Sequence, residues 1–390
     1  MQRTVARVLA AMLAFAATAV PAAQGPAPPS PASASAISIP GTQQFDIASS
    51  SGKRSYRIFV SVPAKAAPEH GYPVLYVLDG NVMFLTALEA VRALERRPDM
   101  PKDLATVVVG IGYPDGVDAG VERTLDYTPA GGGNPQIRNP GGGADAFLAF
   151  VEDDLKPRIA GIARIDRTRQ GIFGHSFGGL FVLHSLAARP DAFRVRVAAS
   201  PSIWFAPKVR DELSAMVAKR KADAPLTAVL LTAGEFEQIP SPQTRVHPNA
   251  ERLVGVLAER RQVDNARSVA ELLAKAPNLD ARFDEIAGED HGTVIPAAIS
   301  RAVWFMLAPA LPVPAVPAAK DYLAMTPAQR YDLRLRVRDL PDRVRVPWLK
   351  ELKKSLQDGL SPDEVQRLHD ERNEMDAKNG TKPHAINADG

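Results

Sequence analysis

From about residue 38 to residue 308 the chain alternates short apolar runs with stretches of helical period, and this alternation leaves few folds open. The runs at 73–78, 106–110, 170–173, 195–199, 228–232 and 281–286 are mostly apolar, the last being the most polar. Strands covered on both faces read this way, because neither side meets water. Helical patterns fill the intervals, at 82–96, 144–159, 178–188, 209–220, 248–274 and 294–307. Strand, helix and strand in that order need a crossover to the next parallel strand. The expectation is therefore an α/β fold, a mostly parallel, doubly wound sheet with helices on both faces. Residues 56–62 differ: Tyr56, Ile58, Val60 and Val62 alternate with Arg57, Phe59 and Ser61, the period of an early antiparallel strand.

The flanks read as separate segments. Residues 1–23 combine Arg3 and Arg7, an apolar run at 8–20 and the small-residue stretch Pro21-Ala-Ala23, the pattern of a cleaved signal peptide. The run is too short for a membrane span and no later stretch is long enough, so an exported protein without stable membrane insertion is expected, in a periplasm most simply, with secretion to the medium as the alternative. Residues 24–37 are a Pro/Ala/Ser-rich spacer, 38–309 the α/β domain, 310–319 a stiff proline-rich linker and 320–390 a charged tail. The tail carries 14 basic and 13 acidic residues. Capping boxes at Thr326-Pro-Ala-Gln329 and Ser361-Pro-Asp-Glu364 announce two or three short helices, with Leu333, Val337, Trp348, Leu352, Leu356, Val365 and Leu368 as their apolar side. Such a segment fits a helical appendage on the main domain or a partner-binding module of unknown partner.

Composition then removes whole classes of function. Across 390 residues, 47 basic side chains face 44 acidic ones, and loss of Arg3 and Arg7 brings the chain close to neutrality, so nothing points to a nucleic-acid partner. The absence of cysteine excludes disulfides, thiolate metal sites, a cysteine nucleophile and a lipid-anchored cysteine. No spaced His and carboxylate set such as H-E-x-x-H occurs, so no metal site and no cofactor are expected.

One motif carries chemistry. Gly174-His-Ser-Phe-Gly178, with Gly179 following, lies between an apolar run and a helical pattern, the setting of a nucleophile elbow in which the strained serine needs glycine neighbours. A serine hydroxyl attacks only once a base takes its proton, and histidine is the usual base. Of the seven histidines, His175 adjoins Ser176 but is expected to point out of the elbow, His184 lies on the next helix, and His369 and His384 belong to the tail. On such a fold the base follows the acid and sits just after the last strand, which His291 does. The acid belongs after the run 228–232, where Glu237 is favoured over Glu235. Asp264 is more distant, and a Ser–His dyad without a carboxylate stays open. The oxyanion hole is expected from the N–H groups of Phe177 and Asn81, with Asp79 bracing the turn. The glycine-rich loop 127–143 reads equally as a substrate lid or as a tolerated insertion.

Six ordered stretches, at 72–81, 109–113, 123–129, 174–181, 199–204 and 288–292, resemble the putative-esterase branch of the α/β-hydrolases, and within it the periplasmic esterases that linearise the siderophores enterobactin and salmochelin. The resemblance implies a serine esterase acting on a catecholate trilactone, with a small-molecule ester as partner and a ferric siderophore as its iron-loaded form. By resemblance, Arg123 in Arg-x-x-Asp-Tyr-Thr-Pro faces an anionic catecholate; the competing reading is a salt bridge to Asp126. Trp204 in Ser-Pro-Ser-Ile-Trp either stacks on a catechol ring or belongs to the core. The insertion at 131–143 and the tail depart from the family pattern, which leaves feruloyl, acetyl or other short-chain esters, or acyl transfer, as alternatives. A binding protein acting through its tail is the reading of another class.

Overall fold

The computed structural model describes residues 38–379 except Lys53, 102–103, 134–140, 309–312, Asp339 and Pro341. The expected signal peptide and spacer, most of the glycine-rich insertion, the start of the linker and His384 lie outside the described residues. From Gly41 onward the described chain forms one compact unit.

Among the described residues eight strands make a single sheet: β1 (Thr42–Ala48), β2 (Ser55–Ser61), β3 (Tyr72–Leu78), β4 (Val107–Gly112), β5 (Ile165–His175), β6 (Val195–Ala199), β7 (Thr227–Gly234) and β8 (Leu279–Ile286). Their order is β1-β2-β4-β3-β5-β6-β7-β8. β1 pairs antiparallel with β2 and β2 with β4, and every other pair is parallel. The apolar runs thus became the parallel strands, and 56–62 the antiparallel one. β1 carries no such signal, because at the sheet edge Thr-Gln-Gln-Phe-Asp-Ile-Ala buries no residue completely.

The helices of the main domain are α1 (Gly80–Glu95), α2 (Ala119–Tyr127), α3 (Ala144–Ala149), α4 (Lys156–Ile162), α5 (Phe177–Ala188), α6 (Val209–Lys219), α7 (Pro242–Val246), α8 (Ala250–Arg260), α9 (Gln262–Leu273) and α10 (Val294–Leu307). Val74, Tyr76 and Leu78 of β3 join a core with α5, α6 and α9; the intervening Leu75 and Val77 face the other side, as strand alternation requires. Tyr56, Phe147, Phe150 and Phe181 knit this core, the Tyr56 and Phe150 rings lying 4.1 Å apart. Arg196 is fully buried on β6 and donates to the carbonyls of Phe193 and Arg189 at 2.5 and 2.8 Å. It thereby helps close the C-terminal end of α5. Burial pushes its guanidinium down to about 9.

Two helical readings are corrected. The pattern at 144–159 is helix with a π turn, Phe150–Leu155, joining α3 to α4. The pattern at 248–274 breaks at Arg261, whose φ of 46° is left-handed. The break lets α9 bury Val263, Ala266, Val269 and Ala270 while α8 buries no residue completely. A third element, α2, was not anticipated; Asp118 caps it by accepting from the Gly120 and Val121 N–H groups.

Among the described residues the tail forms four helices, α11 (Ala319–Ala324), α12 (Pro327–Arg338), α13 (Asp342–Gly359) and α14 (Pro362–Lys378), where the sequence suggests two or three. Both capping boxes are present, at Thr326/Gln329 and Ser361/Glu364. Tyr322, Leu333, Val337, Leu340, Trp348 and Leu352 bury one another, with Leu356 and Leu368 against them. Buried Arg330 pairs with Glu371 at 2.6 Å and donates to the carbonyls of Tyr322, Leu323 and Met325, which end α11.

Two glycines predict opposite outcomes. A Cβ at Gly174 would lie 2.3 Å from the Gly178 carbonyl oxygen, so Gly174→Ala should cost about 2–3 kcal/mol and lower the thermal midpoint by ~3 °C or more. A Cβ at Gly161 on α4 meets nothing within 4 Å, and Gly161→Ala should stabilise by about 0.5–1 kcal/mol. Differential scanning calorimetry of both variants checks the pair.

Candidate active site

The strand order reverses around β3, where β4 lies on one side and β5 on the other, so a crevice opens at the carboxyl ends of β3 and β5. β5 ends at His175 and α5 begins at Phe177, leaving Ser176 at φ 61°, ψ −117°. A serine held there is strained, and its surroundings must impose the conformation. The Ser176 N–H donates to Ala199 O at 2.9 Å, the Ser176 carbonyl accepts from Ser202 N at 3.1 Å, and Gly174 gives the close approach to α5 described above.

His291 follows β8 and Glu237 follows β7. The imidazole Nε2 lies 3.0 Å from Ser176 Oγ and Nδ1 lies 2.5 Å from Glu237 Oε2. Glu237 is 3 % exposed, whereas the His291 side chain is 45 % exposed. The second carboxylate oxygen of Glu237 accepts from Ser200 Oγ at 2.5 Å and from Gly234 N at 2.7 Å. Those donors offset the cost of burying the charge. Glu235 goes elsewhere: its Oε2 accepts from Gly288 N at 2.8 Å, and Phe236 N donates to Glu289 O at 2.9 Å. These two bonds tie the histidine loop to the acid loop. Asp264 sits on α9, paired with Arg261. A relay of this form can take the proton from a serine hydroxyl while a buried carboxylate holds the imidazole.

Phe177 and Asn81 occupy the first turns of α5 and α1, where backbone N–H groups have no partner in the helix ladder. The Asn81 side chain bonds both backbone groups of Tyr113, at 2.8 and 3.0 Å, which seats the turn. Asp79 has φ 52° and its N–H donates to Tyr127 Oη at 3.1 Å.

Arg123 forks onto Asp79 at 2.8 and 3.0 Å. This corrects the alternative partner: Asp126 pairs instead with Arg54, at 3.2 Å, and accepts from Tyr113 Oη at 3.1 Å. Arg123 also lies over the rings of Tyr127 and Phe177. Together with Asn81, Val82, Met83 and Tyr113, it lines a cleft of about 400 Å³ that contains Ser176 and His291. Trp204 is half-buried beside Phe205, with the Arg260 guanidinium 4.3 Å over its ring, and is not among the residues lining that cleft.

His175 does not point out of the elbow. It is 5 % exposed, lines the cleft, and its ring centroid is 4.6 Å from that of His291. Burial, then His291 and Arg123, push it down to about 3, so the ring is neutral, and Nε2 has no hydrogen-bond partner among the described residues. Only its adjacency to Ser176 hinted at this, since side-chain direction at a left-handed turn is not readable from spacing. Ser200 and Ser202 were also missed as site residues, for they lie on a different strand end. Among the described residues no group of three or more His, Cys, Asp or Glu could hold a metal ion, and no helix is long and apolar enough to cross a membrane.

Comparison with known proteins gives a consistent picture. Residues 49–270 match the family described as "Putative esterase". The chain is 39 % identical over 284 residues to the ferri-bacillibactin esterase BesA of Bacillus subtilis, covering 70 % of this chain and 92 % of that one. It is 32 % identical over 280 residues to the siderophore triacetylfusarinine C esterase of Aspergillus fumigatus, covering 68 % and 92 %. Among solved structures, the siderophore hydrolase EstB from Aspergillus nidulans aligns with a TM-score of 0.63 at 31 % identity, over 72 % of this chain and all of that one. The BES protein from Bacillus cereus aligns with a TM-score of 0.59 at 32 % identity, over 71 % and 98 %.

The buried neutral His175 makes stability depend on pH. Its folded value lies below the unfolded value of about 6.5, so the unfolded chain binds the extra proton, and this contribution is lost as pH falls from about 6.5 toward 3. The slope from this group is about 1.4 kcal/mol per pH unit over that window. Urea midpoints between pH 4 and 7 should therefore fall less steeply for His175→Gln than for the wild type; parallel curves would contradict the assignment.

Proposed function

The chain belongs to the putative-esterase family and is a carboxylic-ester hydrolase, and from that premise we propose that it cleaves the ester bonds of a catecholate siderophore through an acyl-enzyme on Ser176. The observation that carries the mechanism is the unbroken relay Ser176 Oγ, His291 Nε2, His291 Nδ1, Glu237 Oε2, with links of 3.0 and 2.5 Å. Ser176 Oγ attacks the ester carbonyl carbon while its proton passes to His291 Nε2. The oxyanion is received by the N–H groups of Phe177 and Asn81, and the buried Glu237 carboxylate stabilises the imidazolium. His291 then returns the proton to the departing alkoxide oxygen, which releases the alcohol. Water repeats the sequence on the acyl-enzyme, and the acid leaves. The steps need neither metal nor organic cofactor from the protein.

The substrate reading is supported by relatives named as esterases of bacillibactin, triacetylfusarinine C and salmochelin, and by a cleft of about 400 Å³ walled by Val82, Met83 and Tyr113. That volume suits one aromatic arm of a larger trilactone. Arg123 borders it with its charge balanced by Asp79, and in this proposal it meets the polar edge of the ring. Trp204, lying outside the cleft lining, is proposed only as a contact for a more distant arm. With residues 1–23 read as an export signal, the reaction takes place in the periplasm.

Mass spectrometry of apo and iron-loaded catecholate trilactone tests the whole proposal. Wild type should yield linear and shorter fragments, and Ser176→Ala none. Glu237→Gln should lose about 10³–10⁴-fold in kcat, by analogy with loss of the acid in serine-protease triads, while Glu235→Gln stays within about threefold. Cleavage of a p-nitrophenyl ester by wild type without attack on either trilactone would remove the siderophore and leave the mechanism.

A further inference from the structure

The nucleophile and the acid do not sit on neighbouring strands. Ser176 follows β5 and Glu237 follows β7, with β6 between them, so the two strand ends are about 10 Å apart. The chain leaving β6 emerges in that gap as Ala199-Ser200-Pro201-Ser202, and it is stitched to both sides. Ser176 N donates to Ala199 O at 2.9 Å and Ser202 N to Ser176 O at 3.1 Å; Ser200 N donates to Thr232 O of β7 at 2.8 Å. From α9, the Gln262 amide donates to Pro201 O at 2.8 Å. Gly179 permits the approach of α5, since a Cβ there would lie 2.8 Å from Ala199 O and 3.0 Å from Pro201 Cα.

Both serine side chains of this turn are buried, at 0 % and 1 % exposure, and each reaches one end of the relay. Ser200 Oγ donates to Glu237 Oε1 at 2.5 Å, the oxygen that His291 does not use. Ser202 Oγ lies 3.2 Å from Ser176 Oγ. The Ser200 backbone has φ 45°, a conformation that glycine adopts freely and serine only under strain. What serine brings in exchange is the hydroxyl. Proton counting fixes the direction at the other end. Ser176 has a single O–H, which the relay directs to His291 Nε2, so Ser202 is the donor into a lone pair of Ser176 Oγ.

We propose that the Ser200-Pro201-Ser202 turn is a positioning device for the relay: Ser200 locks the rotation of the Glu237 carboxylate, and Ser202 orients the Ser176 hydroxyl with its proton toward His291. The role rests on the serine-hydrolase reading given above. Neither side chain touches the substrate in this scheme; each acts through a residue that carries the reaction.

The test compares Ser200→Gly, Ser200→Ala and Ser202→Ala with wild type and Ser176→Ala. The readouts are kcat and KM on a p-nitrophenyl ester, the rate of covalent labelling by a fluorophosphonate probe, and the thermal midpoint. Ser200→Gly should lose about ten- to a hundredfold in kcat and in labelling rate, the scale of a hydrogen bond to a charged group, with KM within about twofold. Relative to Ser200→Ala its midpoint should gain, because both variants lose the donor to buried Glu237 and only glycine relieves the backbone strain. Ser200→Ala should lose as much activity without that gain in midpoint. Ser202→Ala should lose about two- to tenfold in both rates, as for a neutral hydrogen bond. Wild-type kcat and labelling in Ser200→Gly would overturn the proposal, as would losses in all variants that merely track the folded fraction. If Ser176→Ala stays active, the serine reading itself has failed and the turn's role falls with it; if Ser176→Ala is dead and Ser200→Gly is fully active, the turn alone is refuted.

Discussion

The left-handed backbone of Ser176 is the constraint around which the site is arranged. A non-glycine residue at φ 61° needs packing that forbids relaxation, and here that packing comes from all sides. Gly174 lets α5 close on β5, Gly179 lets the chain after β6 press on α5, and the Ala199 carbonyl takes the Ser176 N–H. The same geometry ends β5 and starts α5 within one residue. The proposed nucleophile therefore stands at the N-terminus of a helix, where unpaired N–H groups favour developing negative charge.

Parallel strand order distributes the rest. β5, β6, β7 and β8 lie side by side, and their carboxyl ends deliver Ser176, the Ser200-Pro201-Ser202 turn, Glu237 and His291 in that order. The loops are then bound to each other rather than left to the solvent: Glu235 and the Phe236 N–H hold the segment before His291, and a Cβ at Gly234 would collide with Glu289 O at 2.4 Å. An imidazole on an exposed loop is thereby held within hydrogen-bonding distance of both partners. Loops fixed by their neighbours in this way meet the precision that general-base chemistry requires.

Charges near the cleft are paired almost without remainder. Asp79 holds Arg123, Asp126 holds Arg54 and Tyr113, and Glu237 is satisfied by three donors. Low-dielectric surroundings make each unpaired charge costly, so this pairing accounts for how several ionisable groups share one buried wall. His175 stays neutral there because burial disfavours its charged form, and His291 and Arg123 beside it act in the same direction. The tail is built by other means, a small core of Tyr322, Leu333, Val337, Trp348 and Leu352 closed by the buried Arg330 fork on Glu371.

Periodicity alone identified the parallel strands, because burial on both faces leaves an apolar run that local composition records. The elbow was legible for the same reason: its glycines answer a local steric demand. His291 and an acid at Glu235 or Glu237 could be placed by chain order, since the fold delivers acid and base from successive strand ends. Local pattern failed wherever the deciding neighbour was distant in sequence. The edge strand β1 pairs without a buried face to mark it, and the break at Arg261 exists because α9, not α8, has a sheet to cover. Glu235 and Glu237 are equivalent in composition and two residues apart; only the short helical turn Glu235–Glu237 sends one inward to His291 and the other to Gly288. Arg123 found Asp79, 44 residues away, rather than Asp126 on its own helix. The sequence by itself determined the layers, the elbow and the chain order of the proposed reacting groups, all consequences of short-range sterics and burial. Which oxygen meets which proton was decided by tertiary structure alone, because a hydrogen bond is resolved over a few tenths of an ångström and those distances are set by how β5, β6, β7 and β8 come together.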